Sequence, residues 1–162
     1  MTDDAKRAVD IISARESYMR AALAEADRAA ALGEIPVGAV VIRGGSIIAR
    51  AHNRCRIDCD PTAHAEIIAL REAARARGDW RLAGCALYVT LEPCPMCAGA
   101  IALARLDEVW YGAPDTRQGC CGSVYRITED RALGVFVPAN GGLLADECAA
   151  RLSAFMSAVR KK

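Results

Sequence analysis

The chain carries one imidazole, one carboxylate and two thiols in two short stretches, His64-Ala65-Glu66 and Pro93-Cys94-Pro95-Met96-Cys97. His64, Cys94 and Cys97 are donor types that hold zinc. Three protein ligands leave one position open for a reacting water, which the ion acidifies toward a pKa of about 7. Glu66 is not needed as a ligand. Beside such a site it is placed to take the water's proton and deliver it to a leaving nitrogen. The pattern predicts a zinc hydrolase, with His64, Cys94 and Cys97 as metal ligands and Glu66 as the catalytic residue.

A Cys-x-x-Cys pair alone also serves in structural zinc sites and redox pairs. A closed structural site would need a fourth protein ligand, with Cys55, Cys59, Cys85, Cys120 and His52 as the candidates. Pro95 between the cysteines resembles thiol-disulfide motifs, but the preceding elements do not follow a thioredoxin-like order. The adjoining His-Ala-Glu favours catalysis.

These residues must be positioned by the elements around them. Ser13-Ala14-Arg15-Glu16 has the form of a capping box, predicting a first helix from near Glu16 to Gly33 with Tyr18, Ala22, Ala26 and Ala29 on one face. Residues 1–15 then read as a loosely ordered extension, and 16–160 as a single domain. Val37–Ile42 and Ser46–Ala49, joined through Gly44-Gly45, predict a hairpin. A loop from Arg50 to Thr62 leads to a helix over about 63–77 that stops at Gly78. Its apolar stripe is Ala63, Ile67, Leu70 and Ala74, and Glu66 falls inside that stripe. Residues two apart on a helix do not face the same way, so His64 must reach off the helix end while Glu66 points inward.

Ala86–Leu91 predicts a strand, and Pro93 suits the first turn of a helix running to about Ala104. Asp107–Tyr111 predicts a parallel strand completing a β-α-β unit, with the thiols at the carboxyl end of its first strand. There the helix amino end favours thiolates. Gly134–Val137 reads as a last short strand. Leu144, Cys148, Leu152, Phe155 and Val159 mark a closing amphipathic helix.

A chain of 162 residues, 53% hydrophobic and 25% charged, has the composition of one soluble globular domain, and it has no apolar run of membrane-spanning length. The amino terminus lacks the pattern of a secretory signal, which predicts a cytoplasmic protein. Its eight cysteines then read as thiols without disulfides. A net charge of +1 gives no global case for nucleic-acid binding and leaves only local patches, Arg54 with Arg56 and the tail Arg160-Lys161-Lys162.

The His-x-Glu and Pro-Cys-x-x-Cys signature is that of the zinc nucleobase deaminases. The resemblance extends through Ile35-Pro36-Val37-Gly38-Ala39-Val40, His52-Asn53-Arg54, Asp60-Pro61-Thr62-Ala63-His64-Ala65-Glu66, Leu87 through Cys94, Ala98-Gly99-Ala100, Gly119-Cys120-Cys121-Gly122-Ser123 and Leu143 through Cys148. From about Ser17 to Phe155 the chain resembles the bacterial tRNA-specific adenosine deaminases of the cytidine/deoxycytidylate deaminase superfamily. That resemblance implies a three-layer α-β-α fold with a mixed five-stranded sheet. It implies one zinc per subunit, a homodimer, a tRNA anticodon stem-loop as partner, and hydrolytic conversion of the wobble adenosine to inosine.

Carried over residue by residue, Asn53 and the backbone amide of Ala65 would contact the purine, Asp115 a neighbouring ribose, and Val37 the substrate. Cys120-Cys121 stands where relatives often have small residues and reads as packing. Phe155-Met156 replaces a pair of aromatics. Ala98, Ala100, Ala102 and Ala104 would permit close helix packing between subunits or within the core. The alternatives are a deaminase of a free base or nucleoside, such as guanine or cytosine, and a non-catalytic zinc-stabilised RNA-binding module. The second would leave Glu66 unexplained.

Overall fold

The computed structural model describes residues 2–160. In chain order it contains α1 (Asp3–Ala31), β1 (Gly38–Arg43), β2 (Ser46–His52), α2 (Ala65–Arg77), β3 (Cys85–Leu91), α3 (Pro95–Ala104), β4 (Glu108–Ala113), two 3-10 turns at Ile127–Glu129 and Arg131–Leu133, β5 (Ala139–Asn140) and α4 (Ala145–Arg160). The strands form one sheet in the order β2-β1-β3-β4-β5. β1 is antiparallel to β2 and β3, and β3-β4-β5 are parallel, so the sheet is mixed.

Strand periodicity builds the layers. Along β1, Ala39 and Val41 face one core with Leu87, Val89, Ala65, Ala69 and Ile101, while Val40 and Ile42 face a second with Met19, Leu23, Tyr88 and Cys148. Thus α2 and α3 cover one face and α1 and α4 the other. This two-sided burial is why β1 reads as an unbroken apolar run in the sequence. The described helices include none long and apolar enough to cross a membrane.

The sheet topology also gathers the site. The start of antiparallel β1 and the ends of β2, β3 and β4 all lie at one edge. Val37, Asn53, Leu91 and Asp115 emerge there, and α2 and α3 begin there.

Several local expectations shift. α1 starts at Asp3, where the Thr2 side chain accepts from the Ala5 amide at 3.4 Å, and runs unbroken through Ser13–Glu16. No breaker separates the two segments, so the capping-box residues sit mid-helix. Residues 2–13 are nevertheless exposed, and packing begins only around Ala14. On α2 the inward face is Ala65, Glu66, Ala69, Leu70 and Ala73, while Ile67 and Ala74 are only half-buried. The helix begins after His64, which is its N-cap. The last strand is Ala139–Asn140, beyond the expected Gly134–Val137. Val137 is fully buried, but its amide bonds the Thr128 carbonyl, so its apolar character serves loop packing. On α4, Cys148 is buried, Leu152 and Phe155 are half-buried and Val159 is exposed, so the packed stripe fades toward the helix's end. Lys161 and Lys162 lie outside the described residues.

Gly38 fixes how closely α1 approaches the sheet. A Cβ there would overlap the Ala22 carbonyl oxygen and the Ala26 nitrogen, both helix backbone that cannot rotate aside. Gly38→Ala is therefore expected to destabilise the fold by about 3 kcal/mol or more, read as a fall in the urea midpoint. An unchanged midpoint would show that α1 can slide.

Candidate metal centre and active site

His64 and Cys94 are both helix N-caps with extended backbones, φ −71°, ψ 150° and φ −72°, ψ 175°. Neither side chain makes a capping bond, so both are free to face each other. Pro95, not Pro93, occupies the first turn of α3, and Cys97 lies within that turn. His64 Nδ1 is 3.7 Å from Cys94 Sγ and 3.4 Å from Cys97 Sγ. Zinc bonds of about 2.0–2.3 Å in a tetrahedral array place nitrogen and sulfur ligands roughly 3.6 Å apart. The three residues fit a zinc ion as they stand.

Among the described residues no further His, Cys, Asp or Glu joins this cluster. Each proposed fourth ligand has another place: His52 Nδ1 pairs with Glu25 at 3.2 Å, Cys85 begins β3 at the far end of the strand, and Cys55 Sγ bonds Asn53 Oδ1 at 3.8 Å. Cys59 is exposed and Cys120 is buried in the neighbouring loop. The Cys97 thiol, donating to Cys94, holds Cys94 down to about 4 against the opposing effect of burial, and the same bond pushes Cys97 up. A hydrogen bond with Cys94 raises His64. The cluster concentrates negative charge at two helix amino ends, where a dication would supply the counter-charge.

Glu66 is 4% exposed, one residue inside α2 from Ala65. Burial pushes its carboxyl up to about 7, against lowering by its own backbone amide and by His64. It lines a pocket of about 270 Å³ together with His64, Cys94, Asn53, Val37 and Asp115. Of the expected site residues, only Ala65 and Cys97 are not on the pocket wall. Both are fully buried beneath it.

Some residues at the site carried no role in the sequence reading. Ile35, Leu91 and Gln118 complete the wall. Glu92 also lines the pocket and is 2% exposed, with backbone amides of the Asp115–Ser123 loop around it. Glu34 is fully buried and accepts from the Arg56 and Ile57 amides, both at 2.8 Å, bracing the loop that follows Asn53. A signal was present for Glu92: a carboxylate closing an apolar strand, directly before Pro93-Cys94. The Arg54–Arg56 patch is committed elsewhere. Arg54 forms a two-point pair with Asp58 at 2.9 and 2.8 Å, and Arg56 donates to the Gly33 carbonyl.

Residues 12–113 match the family described as the cytidine and deoxycytidylate deaminase zinc-binding region. The tRNA-specific adenosine deaminase of Bacillus subtilis is 46% identical over 147 residues, 91% of each chain. A solved structure from a study of A-to-I editing by tRNA:A34 deaminases at the wobble position of transfer RNA superposes with a TM-score of 0.81 at 43% identity, covering 84% of this chain and 99% of the other. A guanine deaminase structure from Bacillus subtilis, also 43% identical, has a TM-score of 0.60 and covers 62% of this chain and 65% of that one. With an open His-Cys-Cys set and a buried glutamate beside it, the chain belongs to the tRNA-specific adenosine deaminase family, within the cytidine and deoxycytidylate deaminase superfamily.

Proposed function

We propose that this protein hydrolytically deaminates adenosine to inosine at the wobble position of a tRNA anticodon. The observation that carries the reading is the three-ligand cluster with Glu66 buried alongside it, in a pocket with room for one extruded base. Bound zinc would act there as a Lewis acid that lowers the pKa of water. Glu66 takes the proton as the water oxygen adds to carbon 6 of the adenine, then returns it to the departing nitrogen, which leaves as ammonia. Asn53 and the amide of Ala65, at the start of α2, orient the purine. Val37 packs against it, and Asp115 at the pocket mouth contacts a neighbouring ribose.

The working unit in this reading is a cytoplasmic homodimer bound to the anticodon stem-loop. Support for a second copy comes from a groove between α2 and α3 lined by Ile67, Leu70, Trp80 and Leu103, in which Trp80 and Leu103 are 58% and 71% exposed. Ala98 and Ala102 of the small-residue face are core, while Ala100 and Ala104 line that groove.

The guanine deaminase relative favours a second reading, release of ammonia from a free base. Zinc-loaded protein incubated in parallel with a wobble-adenosine stem-loop, guanine, cytosine and adenosine separates the two. Inosine in the stem-loop is the expected result. Ammonia from a free base, with the stem-loop unchanged, would overturn the tRNA reading.

A further inference from the structure

The Asp115–Ser123 loop folds around a single carboxylate. Glu92 accepts from the Asp115 amide at 2.9 Å, the Cys121 amide at 3.1 Å and the Ser123 amide at 2.9 Å, and also from the Ser123 hydroxyl. Both oxygens are fully engaged by this loop, leaving none for substrate. Gly119 makes the closure possible, because a Cβ there would overlap the Glu92 carboxyl and the Asp115 carbonyl oxygen. The neighbouring backbone joins in: the Cys120 amide bonds the Pro93 carbonyl at 2.8 Å. The Glu92-Pro93 step thus grips the rim loop while the next residue, Cys94, belongs to the His-Cys-Cys cluster. Within the loop, Asp115 Oδ1 accepts from the Arg117 and Gln118 amides at 2.9 and 3.2 Å, which ties its side chain to the backbone that Glu92 holds.

We propose that Glu92 is a positioning residue whose buried carboxylate clamps the rim loop to the metal-bearing strand end and thereby sets Asp115 at the pocket mouth. It acts on substrate binding through Asp115 and takes no part in proton transfer. This rests on the adenosine deaminase reading for its kinetic consequence, though not for the clamp itself.

Glu92→Gln separates the roles. Its amide would face the Asp115 N–H in the orientation that keeps an oxygen toward the Cys121 and Ser123 amides, so the Asp115 bond is the one lost. The expected result on the zinc-loaded enzyme is a rise in KM for the stem-loop of roughly tenfold, the scale of one charge-assisted hydrogen bond, with kcat little changed and zinc retained. In an Asp115→Ala background the same substitution should change KM far less, since the two act in series. A fall in kcat at constant KM, or an equal KM effect in both backgrounds, would overturn the proposal.

Amide hydrogen exchange reads the clamp without substrate. The Asp115 amide should exchange faster in Glu92→Gln while the amides of Leu87 and Val89 stay protected. Exchange accelerating across the whole sheet, or loss of zinc, would make Glu92 merely structural and also overturn it. If wild-type protein leaves the stem-loop unchanged, the wobble reading fails, and the KM comparison is made on whichever free base it does deaminate. If Glu92→Gln does not fold, Ser123→Ala removes only the hydroxyl contact and should raise KM by about threefold. An unchanged KM there counts against the clamp.

Discussion

Replacing Glu66 with alanine is expected to slow inosine formation by roughly 10²–10⁴-fold, the range supplied by a positioned general acid–base, while one zinc per chain remains bound. In the proposed mechanism the residue touches the chemistry without holding the metal. The His64, Cys94 and Cys97 donor atoms lie within 4.8 Å of one another without any carboxylate from Glu66. Alanine is well tolerated in a helix, and it removes an ionisable group that burial pushes up to about 7, so the melting temperature should stay within a few degrees of wild type. Glu66→Gln keeps the shape and loses the proton shuttle, and should be as inactive. Ammonia release measured against metal content checks both. Sustained turnover in either variant with zinc in place would remove Glu66 from the mechanism.

Stripping zinc with a chelator is expected to abolish activity and to lower the melting temperature by on the order of 10 °C. A ligand present at a thousand times its Kd stabilises the folded state by about 4 kcal/mol, and each kcal/mol shifts Tm by about 2–4 °C in a domain of this size. The physical reason lies in the site. His64 and Cys94 are the caps of α2 and α3 and Cys97 lies in the first turn of α3, so an ion held by them would tie two helix amino ends together and neutralise thiolates that otherwise compete for one proton. Thermal melts with and without chelator, followed by zinc restoration, test this. His64→Ala should reproduce the chelated behaviour and resist rescue. A chelated protein that loses its zinc and keeps its melting curve would mean the centre adds nothing to stability.

Much was legible in the chain because it is written in local pattern. The hairpin through Gly44-Gly45, the β3-α3-β4 unit with its strands parallel, Gly78 closing α2 in a left-handed conformation, and the ligand spacing all follow from residue type over a few positions. Glu66 inside an apolar stripe foretold its burial. α1 starts upstream of the capping box at Ser13–Glu16 because such a box is only a permission to start. With helix-forming residues on both sides of Ser13, the backbone continues to Thr2.

Other features depend on partners far away in sequence. The inward face of α2 is turned from the expected stripe because small residues on β1 and β2 draw Ala65, Ala69 and Ala73 against the sheet. The last strand falls at Ala139–Asn140 because β4 offers its edge there. Sequence by itself pointed to the His-Cys-Cys set that the fold gathers, to the glutamate buried beside it and to the order of elements, since donor chemistry and short-range periodicity are properties of residues and their spacing. Only the tertiary structure decided which carboxylates are internal struts. The Glu92 bonds to Asp115, Cys121 and Ser123, and the Glu34 bonds to Arg56 and Ile57, exist only once the sheet edge brings those loops together, and no local pattern encodes a backbone amide's distant partner.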